Sequence, residues 1–304
     1  MEERPSQFLA FVHATRPKTL PLSLSPVLLG AVVGMLEQGA ARIDILLVAL
    51  GSAAAIQIGT NLHNDAADAL NQTDTEERAG PPRACASGWL SPGQVKVGAH
   101  LSFGAALLGG LYLTAIGGWL IFAVGLASLL AGYGYSSGPA PISRGPFGEL
   151  FVLLFFGVIA VSGMAYLYSG TISPLALGLG CVIGLPASAV LLVNNTRDRV
   201  NDARAGRRTL AIMLGDGVAR RLYATLLLTA IIGAAGVCLM AAPEPAWGGL
   251  AALALLPWAV SLSRAFAAAG ARSFNALLAR TARLQLTLAL VVSAGLTASI
   301  HLGA

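Results

Sequence analysis

Apolar residues in this chain run on for about 20 positions at a time and then stop at short polar breaks, instead of alternating or recurring every three to four residues. A helix that crosses a bilayer needs about 20 mostly apolar residues. Nine such runs occur, at approximately 19–37, 43–63, 97–117, 119–137, 147–168, 173–193, 218–240, 246–264 and 283–302. They predict an all-α membrane protein with nine transmembrane helices. A membrane barrel would instead show alternating segments of about 10 residues, and none is present. Gly117-Gly118 and Gly206 fall between runs and read as turn glycines.

Composition narrows the class. The 304 residues are 56% hydrophobic and 11% charged, with a mean hydropathy of +0.73, which excludes an ordinary soluble domain. No compact apolar stretch with a small-residue cleavage pattern opens the chain, and Glu2 and Glu3 precede the first run, so that span is expected to be retained. Cys85, Cys181 and Cys238 lack metal-ligand or redox spacing and read as small buried side chains. Residues 1–304 read as one domain.

The net charge of +5 does not point to nucleic acid, because its distribution follows the membrane. With nine spans, 18 of the 19 Lys and Arg residues fall on one side and Arg42 alone on the other. The positive-inside rule makes the crowded side cytoplasmic, with the N-terminus inside and the C-terminus outside an inner, or cell, membrane.

Acidic residues gather at the cytoplasmic ends of two spans. After the second run the chain reads Asn61-Leu-His-Asn64-Asp65-Ala-Ala-Asp68 and continues to Asp74, Glu76 and Glu77; after the sixth it reads Asn194-Asn195-Thr-Arg197-Asp198-Arg-Val-Asn201-Asp202. The shared Asn-x-x-x-Asp core repeats at an interval of 133 residues, since 194 minus 61 and 198 minus 65 agree. On a helix, positions three and four apart share a face. Asn61, Asp65 and Asp68 therefore form one acidic stripe, and Asn194, Asp198 and Asp202 another.

Carboxylates crowded on one face repel each other and are costly near a membrane without positive charge between them. A divalent ion answers that need, and oxygen-only donors favour Mg²⁺ over zinc. Because Mg²⁺ bridges carboxylates to phosphate oxygens, two facing stripes imply a diphosphate held between them. Arg78, Arg83, Arg144, Arg197 and Arg207 lie in the same cytoplasmic segments, where guanidinium forks meet phosphate oxygens. His63, inside the first motif, reads as a hydrogen-bonded neighbour and not a ligand. Tyr133 and Tyr135 have two readings, interfacial aromatics or cavity lining.

These stretches resemble the UbiA superfamily of intramembrane prenyltransferases. Within it they are most similar to the members that prenylate 1,4-dihydroxy-2-naphthoate in menaquinone biosynthesis. The resemblance is carried by Arg16-Pro-Lys-Thr-Leu-Pro through Gly30, by Asn64-Asp65-Ala-Ala-Asp68 with Asp74 and Gly80 through Gly88, by Gly138-Pro139 through Gly148-Glu149, and by Asn194 through Asp202 with Ala205-Gly206-Arg-Arg-Thr-Leu-Ala211. The general superfamily pattern places a third acidic residue where Gln72 stands; the naphthoate group places it later, where Asp74 stands.

The resemblance implies a UbiA-type bundle around a central cavity, with lateral access for a lipid tail. It implies two Mg²⁺ ions on Asp65, Asp68, Asp198 and Asp202, which also serve catalysis. Asn61, Asn64 and Asn194, with Arg78, Arg83, Arg144 and Arg197, are the expected diphosphate and metal surroundings. The implied partners are a polyprenyl diphosphate, an aromatic acid acceptor and membrane lipid, with no nucleic acid. In the implied reaction the prenyl chain replaces the ring carboxylate, releasing CO₂. Lys18 is the candidate for holding the acceptor's carboxylate. Competing readings are another acceptor such as 4-hydroxybenzoate, a cation transporter, and a lipid phosphotransferase. A transporter is disfavoured because the carboxylates lie at span ends beside arginines rather than at mid-membrane.

Overall fold

The computed structural model describes residues 5–71, 80, 82–241, 246–270 and 273–302, and among these the regular structure is all helical. Helix α1 (Gln7–Thr15) is capped by Ser6, whose Oγ accepts from the Leu9 N–H at 3.3 Å. The chain bends at Arg16, a non-glycine residue with φ 53°, and runs through a 3₁₀ turn (Pro17–Thr19) into α2 (Pro21–Gln38). Then come α3 (Ile43–Leu70), α4 (Pro92–Gly134), α5 (Gly148–Leu153), a π-helical turn (Leu154–Ile159) and α6 (Ala160–Ser169). Helices α7 (Pro174–Arg204), α8 (Leu210–Ala241), α9 (Ala246–Ala252), α10 (Leu256–Ala267) and α11 (Phe274–Leu302) complete the chain.

Eight of these helical segments are long and apolar enough to cross a membrane. The count rises to nine because α4 makes two crossings. Its 43 residues would reach about 65 Å if straight, roughly twice the ~30 Å hydrocarbon core. Gly118, with φ 68° and ψ −158°, breaks it into two limbs. The second limb folds back on the first, since a Cβ at Gly132 would stand 3.3 Å from the Phe103 ring. The positive φ at Gly118 is open to glycine at little cost.

Both motif-bearing helices outrun their predicted spans. With 28 residues, α3 is about 42 Å long, and with 31, α7 is about 46 Å. The extra turns at their C-terminal ends carry Asp65, Asp68, Asp198 and Asp202 beyond the apolar core, and keep both acidic sequences helical.

The bundle is held by close backbone approach and by buried polar contacts. In the π-helical turn, a Cβ on Gly157 would stand 2.6 Å from the Gly184 Cα of α7; only glycine allows that contact. Pro26 inside α2 has no N–H to offer the Leu22 carbonyl one turn earlier. Gln285 of α11, fully buried, reaches that carbonyl with Nε2 at 3.5 Å and the Ile183 carbonyl of α7 at 3.3 Å. One amide thus ties three helices together and serves a backbone acceptor that a proline has freed. Gln285→Leu keeps the volume and removes the donor. It is expected to cost about 1 kcal/mol and to lower the thermal midpoint in detergent by a few degrees; an unchanged midpoint would refute this role.

Candidate active site

A cavity of about 430 Å³ lies within the bundle, walled by α2 to α7. Most of its wall is apolar. One end is polar, formed by Arg16, Gln57, Asn61, Asn64, Tyr135 and Asn194. The three carboxamides at motif positions thus do line the cavity, whereas the four motif aspartates stand outside its wall, further along α3 and α7.

Asn61 donates to the Thr15 carbonyl at 2.9 Å and to Thr19 Oγ1 at 3.3 Å. Gln57, one turn earlier, donates to the same hydroxyl at 3.3 Å, and Thr19 Oγ1 in turn donates to the Arg16 carbonyl at 2.9 Å. These bonds hold the bend at which Arg16 takes its left-handed backbone, a conformation that costs a non-glycine residue roughly 1–2 kcal/mol. Asn64 Oδ1 accepts from Ser136 Oγ at 3.0 Å, which fixes the segment after α4 beside the rim. Tyr135 lies in that segment, and burial, with the charge of Glu149 adding to it, pushes its phenol up to about 12. It is a neutral O–H donor at physiological pH.

The aspartates are each engaged. Asp65, 2% exposed, accepts from the Ala84 N–H at 3.0 Å and the Cys85 N–H at 3.2 Å, so it holds the loop that follows the first motif. Asp68 is ion-paired with Arg83 and, at 2.6 Å, with Arg207. The other arm of the Arg207 fork meets Asp202 at 3.1 Å. One guanidinium therefore spans the C-terminal ends of α3 and α7, and the two acidic sequences do face each other there. Asp198 is instead paired with its neighbour Arg197 at 2.7 Å, and the same guanidinium reaches Asn194 Oδ1 at 2.7 Å and Asn275 at 2.7 Å.

The expected phosphate-binding arginines are thus unlike one another. Arg83 and Arg207 are at the junction of the motifs. Arg197 is committed to Asp198 and Asn194. Arg144 is exposed, and its contribution is the backbone carbonyl that accepts from the Arg208 N–H at 2.8 Å. Arg78 and Asp74 lie outside the described residues. Lys18 is exposed and absent from the cavity wall, because the 3₁₀ turn puts positions 16 and 19 on the cavity side and 18 outside. His63 meets Ser137 Oγ at 2.7 Å and stacks on Tyr133, as a hydrogen-bonded neighbour does.

Two residues escaped the sequence reading. Arg16 is the first residue of a stretch singled out there, but only the bend shows that it reaches the cavity. Glu149, 6% exposed, accepts from Asn195 Nδ2 at 2.9 Å, and its carbonyl accepts from Ser188 Oγ at 2.7 Å, locking α5 to α7 beside the second motif. Glu149 closes another of the stretches that carry the resemblance, but a lone acid opening an apolar run has no period to mark it as a site residue.

The donor set suits a hard divalent cation. Four carboxylates and three carboxamides offer oxygen alone, with the one histidine of the motifs turned to Ser137. Among the described residues no three acidic, His or Cys side chains come within common ligating reach, since Arg83 and Arg207 stand between the acidic ends.

The fold and site define a class: a membrane-spanning helical bundle whose apolar cavity ends at amides and Arg16, with the carboxylates and arginines of the two motifs just beyond it. The chain belongs to the UbiA prenyltransferase family, whose model matches residues 23–279. Relatives named 1,4-dihydroxy-2-naphthoate octaprenyltransferase are 36% identical over 225 residues in Mycobacterium tuberculosis (74% of this chain, 76% of the relative) and 35% over 233 in Bacillus subtilis (76% and 74%). The Escherichia coli protein of that name is 34% identical over 239 residues (76% and 77%). The fold matches a UbiA homolog from Archaeoglobus fulgidus, bound to DMAPP and Mg²⁺, with a TM-score of 0.66 over 93% of this chain and 99% of that one, at 15% identity.

Arg207→Gln removes the fork between Asp68 and Asp202 and leaves two buried carboxylates facing. It is expected to destabilise the protein by about 3 kcal/mol and to speed hydrogen exchange in residues 82–90 and at the end of α7. Exchange unchanged in both segments would show that the bridge does not join them.

Proposed function

We propose that this protein transfers a polyprenyl group from polyprenyl diphosphate to 1,4-dihydroxy-2-naphthoate, releasing diphosphate and CO₂ and giving demethylmenaquinol. The observation that carries the reading is the cavity itself. It is apolar along its length and closed at one end by carboxamides, Arg16 and Tyr135, directly below the arginine and aspartate junction. The naphthoate octaprenyltransferases named above, similar to this chain at about 35% identity, supply the acceptor. Residues 1–304 form one such unit, with the N-terminus and the acidic ends of α3 and α7 in the cytoplasm and the C-terminus outside.

In this reading Asp65, Asp68, Asp198 and Asp202 hold magnesium, in two ions, with Asn64 and Asn194 at their edge, while Asn61 serves the site through the bend that carries Arg16. Mg²⁺ supplies positive charge that stabilises the departing diphosphate. Arg83 and Arg207 exchange their carboxylate partners for phosphate oxygens, a trade their planar forks suit. The allylic C–O bond breaks, the ring carbon that bears the carboxylate takes the prenyl cation, and the carboxylate leaves as CO₂, so charge and atoms balance without an external base. Arg16 holds the acceptor's carboxylate at the rim, a role its position favours over Lys18. The apolar wall keeps water from the cation.

Purified protein with Mg²⁺, octaprenyl diphosphate and either 1,4-dihydroxy-2-naphthoate or 4-hydroxybenzoate, followed by mass spectrometry, tests the reading. Prenylated, decarboxylated naphthoquinol formed only with Mg²⁺ is the expected result; prenyl-hydroxybenzoate alone would overturn the acceptor. Asp68→Asn and Asp198→Asn are each expected to lower kcat by about 100-fold or more in protein that still folds in detergent, and full activity in either would end the two-motif metal site. Arg16→Gln is expected to raise the KM for the naphthoate about tenfold or more with little change in the KM for the diphosphate.

A further inference from the structure

A serine or threonine inside a helix commonly turns its hydroxyl back to the backbone carbonyl one turn earlier. Most of the hydroxyls on the cavity wall are spent in this way. Thr114 donates to the Gly110 carbonyl and Ser128 to the Val124 carbonyl, each at 2.8 Å, while Ser23 donates to the Leu20 carbonyl at 3.0 Å and Thr19 to the Arg16 carbonyl at 2.9 Å. Among the described residues, three wall hydroxyls make no hydrogen bond within the protein: those of Ser52, Thr60 and Tyr135.

The three differ in what they can meet. Ser52 lies eight residues before Thr60 on α3, about 12 Å deeper in the apolar part, and its oxygen is sealed against Gly109. Tyr135 stands within electrostatic reach of Glu149, Arg16, Arg207 and Asp68, toward the junction of the two motifs. Thr60 is at the polar end but on a different side of it. Gln57 and Asn61 turn to the bend between α1 and α2, where they bond Thr19 and the Thr15 carbonyl. Thr60 lies on the opposite edge of the same helix face, against the second limb of α4, since a Cβ at Gly132 would stand 2.7 Å from its Oγ1. The polar end is therefore flanked by the Arg16 guanidinium on the bend side and by an unused hydroxyl on the α4 side.

The acceptor carries groups that match this pair. In 1,4-dihydroxy-2-naphthoate the 1-hydroxyl is ortho to the carboxylate and bonds to it internally, as a charge-assisted O–H···O⁻ pair. The 4-hydroxyl is meta to the carboxylate and has no partner within the molecule. In a largely apolar cavity such a group is costly unless the wall supplies a hydrogen bond.

We infer that Thr60 is a specificity residue that receives the acceptor's 4-hydroxyl on Oγ1, so that the ring is held at two points, by its carboxylate on Arg16 and by its 4-hydroxyl on Thr60. This rests on the dihydroxynaphthoate reading above. The reacting carbon is C2, meta to the 4-hydroxyl, so the bond orients the ring and selects among aromatic acids without activating that carbon. The single hydroxyl of 4-hydroxybenzoate is para to its carboxylate and points elsewhere when the carboxylate is on Arg16. Thr60→Val keeps the branched shape and removes only the oxygen. No hydrogen bond within the protein depends on that oxygen, so the variant folds.

The experiment measures, with Mg²⁺ and octaprenyl diphosphate, the KM for 1,4-dihydroxy-2-naphthoate and the inhibition constant of 1-hydroxy-2-naphthoate, a competitor that lacks only the 4-hydroxyl. Intact protein, Thr60→Val and Thr60→Ser are compared. Thr60→Val is expected to raise the KM about tenfold and to leave the inhibition constant unchanged, and Thr60→Ser to restore the KM. Equal weakening of both naphthoates, or an unchanged KM, overturns the role of Thr60. Failure of the unsubstituted protein to prenylate the dihydroxynaphthoate overturns instead the acceptor reading on which that role rests.

Discussion

Asp68 and Asp202 each lie two residues from the end of a long helix, α3 and α7, where the helix dipole is negative and disfavours a carboxylate. They are also nearly buried and face each other. Three unfavourable terms meet at one point, and the molecule answers them with cations. Arg207 reaches both carboxylates with one fork, and Arg83 closes on Asp68 from the loop that Asp65 holds through two backbone N–H groups. The relative placement of α3 and α7, the course of the 82–90 loop and the segment after Gly206 all depend on this balance of charge. An arrangement so dependent on positive charge is suited to exchanging one cation for another, and to receiving a diphosphate whose own charge the arginines can meet.

The amides of the same sequences do different work. Asn61 and Gln57 turn away from the acidic junction and hold the bend between α1 and α2, and with it the left-handed backbone of Arg16. The first motif therefore has two sides. Its carboxylates face the arginine-lined end of the bundle, while its amides fix an arginine at the cavity rim. The strain at Arg16 is local and is offset by bonds from α3 that span 38 to 46 residues of the chain. This ties the geometry of the rim to that of the acidic end through one rigid element.

Beyond the polar end the structure follows the demands of lipid. Glycines bring the π-helical turn against α7, and a buried glutamine serves a carbonyl that a proline leaves without its partner.

The nine membrane runs, the all-helical class and the two Asn-x-x-x-Asp sequences were legible in the residues, because hydrophobic length and helical spacing are local properties that no distant contact can reverse. The turn at Gly118 and the helical continuation of both motifs belong with them, as does His63 as a hydrogen-bonded neighbour. Which arginine meets which carboxylate was not legible: Arg197, Arg144 and Arg207 look alike along the chain, and only the packing of α3 against the end of α7 distinguishes a bridging fork from a committed or exposed one. Lys18 and Arg16 are two residues apart, and a single 3₁₀ turn decides which of them reaches the cavity. Glu149 carries no periodic signal, and its burial beside Asn195 exists only once α5 lies on α7. Local pattern thus determined what the elements are and which of their ends are charged. The pairing of those charges came from tertiary structure, because it depends on distances between residues that the chain keeps far apart.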